Sequence, residues 1–224
     1  MESNSLTPLV RIEPPDVHRR LAELGLEEAI LLKAAERGWV AFASCTRNHP
    51  PAIPAIWAWG EMICSLGEQL VPRGWERKNE SMWPLVVNRA GTIALSAATG
   101  NEDTGSKDID PLTSCAKGPR TVDAVFANRR QLVHPDMLVG PLESVKKPSG
   151  RSVWLLLVRR DIAAREMRIE LSQPIAMDLE GRVNGWAERI ILTSQRLDGI
   201  PEILLGDGDG PQSPEITVDI RRRA

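Results

Sequence analysis

Residues 92–133, TIALSAATGNEDTGSKDIDPLTSCAKGPRTVDAVFANRRQLV, decide how the rest of this chain is read. The stretch opens with an apolar run at 92–98 that reads as a buried strand. It then passes through a long loop rich in glycine and acid, and closes in a helix at 121–133. In that helix Val122, Val125, Phe126 and Leu132 recur at helical spacing, with Arg129 and Arg130 on the other side. Irregular loops of this length are uncommon in compact domains and are often functional where they occur.

Working back from it, residues 84–88 and 92–98 form a hairpin around Arg89-Ala90-Gly91, with Gly91 supplying the positive φ that such a turn needs. Residues 75–83 are polar and loop-like. Residues 57–70 read as a helix weakened by Gly60 and Gly67 and ended by Pro72 and Gly74. The prolines at 50, 51 and 54 predict an extended segment over 45–56. WVAFAS at 39–44 reads as a short strand, and LEEAILLKAAER at 26–37 as an amphipathic helix stopped by Gly38. A shorter amphipathic turn at 17–24 follows a flexible arm over residues 1–14.

Working forward, residues 134–151 are irregular and proline-containing, and mark the one internal boundary the sequence suggests. Beyond it come strand-like runs at 152–159, 166–171, 175–178, 187–192 and 215–220, joined by turns such as Glu180-Gly181. This pattern predicts an α+β fold. A mainly antiparallel sheet would be accompanied by about three helices, concentrated in the N-terminal 135 residues. After the arm, residues 15–224 would form a single domain.

Composition narrows the function classes. With 42% hydrophobic and 26% charged residues in 224, the chain can bury a core. A net charge of -2 removes the argument from a strongly basic chain to nucleic acid. Cys45, Cys64 and Cys115 are too dispersed for a disulfide framework. The N-terminal sequence lacks the pattern of a signal peptide, and no apolar run approaches the ~20 residues that span a bilayer. A soluble, cytoplasmic, bacterial protein with no membrane association is the expectation, the arginine excess over lysine matching a GC-rich genome.

Three groups of residues are candidates for function. Within the long loop, Glu102, Asp103, Asp108 and Asp110 could hold a hard divalent cation such as Mg2+. Lys117 and Arg120 flank the start of the following helix, where free N–H groups favour an anion. Together they would suit a metal-dependent phosphoryl-transfer enzyme or nuclease. The bland alternative is a solvated loop followed by an ordinary helix start.

The tryptophans form the second group. Five of the seven lie between 39 and 83, interleaved with arginines. Trp75 and Trp83, in a polar stretch with Arg73 and Arg77, read as exposed, and Trp57 and Trp154 as core. Exposed aromatics beside arginine can stack bases of a single strand or form hot spots of a protein interface. Arg129, Arg130 and the terminal Arg221, Arg222 and Arg223 would extend that surface. The third group, Cys45 with His49, has metal-ligand spacing but lacks a paired CxxC, so a buried cysteine and a surface histidine are expected.

No nucleophile elbow, dinucleotide fingerprint, kinase set or zincin helix is present. The first expectation is therefore a non-enzymatic binding protein, an accessory subunit of a nucleoprotein or protein complex. Its partner would be a protein, or single-stranded nucleic acid. The metal-dependent enzyme is the alternative.

Overall fold

A computed structural model describes residues 7–132 and 150–197. Its centre is an eight-stranded sheet ordered β1 (Leu9–Arg11), β7 (Val183–Ile191), β6 (Glu166–Met177), β5 (Ser152–Asp161), β4 (Ile93–Thr99), β3 (Trp83–Val87), β2 (Glu76–Glu80), with β8 (Gln195–Arg196) also pairing to β6. Pairing is mostly antiparallel. Two pairs are parallel, β1 with β7 and β4 with β5. The second of these joins the hairpin at the front of the chain to the strands at its back. The connection from β4 to β5 runs through the long loop, α4 (Pro119–Leu132) and residues 133–149.

Both faces of the sheet are covered, which explains why the middle of β5 is buried at every position rather than at alternate ones. On one face Trp154, Leu156 and Val158 pack with α1 (Pro14–Glu23), α2 (Glu28–Ala43) and α3 (Ile53–Leu70). On the other, Leu155 and Leu157 meet Val125 of α4 and Trp186 of β7. The fully buried Asn128 fastens α4 there. Its amide donates to the carbonyls of Val153 and Pro174, and its Oδ1 accepts from the Val153 N–H. Two arginines from the first strand and helix, Arg11 and Arg20, share Glu188 of β7 at 2.5 and 2.8 Å and tie α1 to the sheet edge.

The α+β class is as expected, with four α-helices among the described residues where about three were predicted. All four lie within residues 14–132. Several boundaries differ for physical reasons. The strand expected at 39–44 is the last part of α2, which runs straight through Gly38. That glycine lies where α2 and α3 cross: a Cβ on it would stand 2.6 Å from Met62 Cγ and 2.9 Å from the Ala58 carbonyl oxygen. It is a packing residue, not a stop. The segment expected to stay extended through residue 56 gives way to α3 at Ile53, because Pro54 occupies the first turn, where a missing N–H costs nothing. The loop expected at 75–83 contains β2 and the tight turn to β3, with Ser81 and Met82 at φ of 53° and 69°. Residues 9–11 of the expected N-terminal arm form the edge strand β1. The internal boundary expected at 134–151 falls almost wholly outside the described residues, as do the strand expected at 215–220 and Arg221, Arg222 and Arg223.

Candidate binding surface

The long loop does not stand out in solvent. It folds back over the sheet face that α4 covers, and the sheet grips it at both ends. Thr113 exchanges hydrogen bonds with Val183, the Trp186 indole donates to the Pro111 carbonyl at 2.8 Å, and the Lys117 N–H donates to Gly181. At its middle, Arg189 of β7 reaches through to the carbonyls of Ser106 and Ile109, while Glu170 of β6 accepts from the Gly105 N–H. The segment is a structural cover.

That placement disperses the candidate carboxylates. Asp110 pairs with Arg189 at 3.1 Å, and Asp103 accepts from the Asn101 side chain. Glu102 and Asp108 are exposed. Among the described residues no three His, Cys, Asp or Glu side chains converge to hold a metal ion. Lys117 is half-buried, and burial pushes its ammonium pKa down. Arg120 lies across the β2–β3 turn, donating to Ser81 Oγ at 3.0 Å.

The tryptophan assignments change places. Trp75 is buried in the core beneath Gly25, and Trp83 is half-buried in β3 against Leu85 and Val87. Arg73 and Arg77 bend back onto α3, donating to the Gln69 and Cys64 carbonyls. Arg129 and Arg130 do face outward on α4, beside Phe126, which is exposed and not on the buried side. The expected buried side of α4 holds Thr121, Val125 and Asn128 instead. Trp154 is core as read, but Trp57 is 46% exposed.

Trp57 lines a mainly apolar surface groove. The C-terminal half of α2 and the N-terminal half of α3 diverge to leave a groove of about 630 Å3. Val40, Ala41 and Ser44 line one wall, and Ile56, Trp57, Trp59 and Gly60 the other. Val40 and Ile56 are 61% and 49% exposed. Contiguous exposed apolar side chains of this kind mark interaction sites far more often than scattered single ones do.

The groove is held rigid from beneath. The Trp59 indole donates to the Ala97 carbonyl of β4 at 3.1 Å. His49, fixed by the Thr46 N–H, meets the Trp57 ring edge-on at 5.3 Å. Cys45 is buried and donates to the Ala41 carbonyl, so it is not available beside His49 as a ligand. At the far end, Arg37 is clasped between Glu61 and Glu68, which leaves that end of the groove with no unpaired cation and a net negative charge.

Comparison with known proteins gave no match: no family model, no curated protein and no solved structure matches this chain. No described helix is long and apolar enough to cross a membrane.

Proposed function

We propose that this chain is a non-enzymatic binding protein, an accessory subunit that receives an apolar, amphipathic helix of a protein partner in the α2–α3 groove. One observation carries the reading: Val40, Ile56 and Trp57 stand exposed together along one groove between two helices. Helix-in-groove docking uses such a surface, with apolar anchors from the partner helix entering between two host helices. The net-negative Arg37–Glu61–Glu68 set disfavours a phosphate backbone, which is held by clustered unpaired cations. Nucleic acid is thus a less favoured partner at this surface.

A photo-crosslinking amino acid placed at Trp57 and, as a control, at the exposed Leu179 tests this in the native host. The expected result is one protein adduct at position 57, absent at 179 and lost when Val40→Glu is added. Adducts only to nucleic acid, only to a second copy of this chain, or equal at both positions would overturn the reading.

A further inference from the structure

We propose that Arg159 of β5 and Arg168 of β6 form a binding site for a phosphate group, either free or as a monoester. The site lies apart from the groove and does not depend on it. The register of the sheet sets Arg159 directly opposite Arg168, on the same face. Like charges directly opposite on adjacent strands destabilise the pair. Burial sharpens the problem. Arg159 Nε and Arg168 Nε are both shielded from solvent with no hydrogen-bond partner among the described residues, as is Nη1 of the next residue, Arg160. A buried donor left unmade costs its full desolvation energy, more so on a charged group.

Other partly or fully buried arginines of this chain are matched to carboxylates. Arg189 has Glu170 and Asp110, Arg11 and Arg20 share Glu188, and Arg151 has Glu80. Here, among the described residues, the three guanidiniums have within ion-pair reach a single carboxylate, Asp161, at 3.5 Å from Arg168 Nη2. Arg160 turns to the helix face, where its guanidinium lies 4.7 Å from the Phe42 ring centre. Burial and the neighbouring Arg159 push its pKa down to about 10, so it stays charged at neutral pH and adds to the positive field. Arg168 keeps 26% of its side chain exposed and Arg159 is only half-buried, so neither residue is closed off from solvent. A tetrahedral dianion suits a pair of guanidinium forks carried at opposed positions of neighbouring strands, since each fork can donate two parallel hydrogen bonds.

The full chain is titrated calorimetrically with inorganic phosphate and, separately, with a nucleoside 5′-monophosphate, at constant ionic strength against chloride. Saturable binding of either supports the site. Binding of phosphate alone assigns a free anion, and tighter binding of the nucleotide assigns an ester. Arg159→Gln and Arg168→Gln should each weaken binding by roughly tenfold to a hundredfold, the loss of one charge-assisted contact. Arg129→Gln on α4 should leave it unchanged. In phosphate-free buffer the Gln variants should melt at or above the wild-type temperature, because a like-charge repulsion is removed. No binding by the wild type, equal binding by both Gln variants, or a lowered melting temperature of both in phosphate-free buffer would overturn the proposal.

Discussion

The Glu170 carboxylate lies 2.7 Å from the Arg189 guanidinium, and neither side chain touches solvent. Between them they hold the middle of the long loop, through the Gly105 N–H and the carbonyls of Ser106 and Ile109. Arg189→Met strips Glu170 of its counter-charge and leaves those loop carbonyls unmet. The expected loss is about 3–5 kcal/mol by chemical denaturation, the cost of breaking a buried pair from one side. Hydrogen exchange at Gly105 should accelerate in step with that loss. An unchanged exchange rate would show that the loop is held by Thr113 and Trp186 alone.

Asn128 makes the same kind of bond between α4 and the sheet. Its side chain satisfies the Val153 N–H and two carbonyls in a fully buried position. Asn128→Leu keeps the branched shape of the side chain and strands these backbone groups. A destabilisation of about 2–3 kcal/mol is expected, the desolvation cost of an unpaired buried amide with its lost bonds. A denaturation midpoint equal to wild type would contradict this account.

Gly38→Ala separates two opposed effects. Alanine is a better helix former than glycine by about 1 kcal/mol. At this crossing, however, the new methyl meets Met62 Cγ at 2.6 Å and the Ala58 carbonyl at 2.9 Å. Met62 can yield, but the α3 backbone cannot without moving the helix. Overpacking of about 1–3 kcal/mol should win, giving a net loss of stability. A more stable Gly38→Ala protein would mean that α2 and α3 separate freely.

Glu80 gives the acid limb of the stability curve a traceable component. The Arg151 guanidinium, 2.8 Å away, holds the Glu80 carboxyl below its ordinary value. The pair's contribution is therefore fully present above the unfolded carboxyl's pKa of about 4.3 and disappears as pH falls through the lower folded value. Solvent exposure limits its size to about 0.5 kcal/mol. The stability difference between wild type and Glu80→Gln should close below about pH 4, within that window. A difference that persists at lower pH would assign it to packing.

The legible part of this molecule is the part set by neighbours in sequence. The hairpin at β3–β4 follows from the Gly91 turn and the apolar residues on either side of it, and the β6–β7 turn from Gly181, both at positive φ. The run VWLLLV in β5 announces a strand covered on both faces, because no polar side chain interrupts it. The α+β class follows from these periods. Other features depend on which elements meet. Gly38 has the composition of a helix stop and the role of a crossing point, and only the approach of α3 distinguishes the two.

Trp75 and Trp57 show the same limit. The polar residues around Trp75 belong to a sheet edge whose neighbour, Trp75 itself, turns into the core. The apolar residues around Trp57 form a groove that no described element fills. Likewise the acidic loop has the charges of a metal site, yet Arg189 lies 79 positions from Asp110 in the chain, and the sheet brings the two together. Local pattern determined the class, the β3–β4 hairpin with its turn and the strands of the second half, since those depend on contacts a few residues apart, but not the edge strands β1 and β2 or the end of α2. The exposed groove, the buried Glu170–Arg189 pair and the opposed arginines of β5 and β6 were decided by helix crossing and strand register, because each brings together side chains from two different elements.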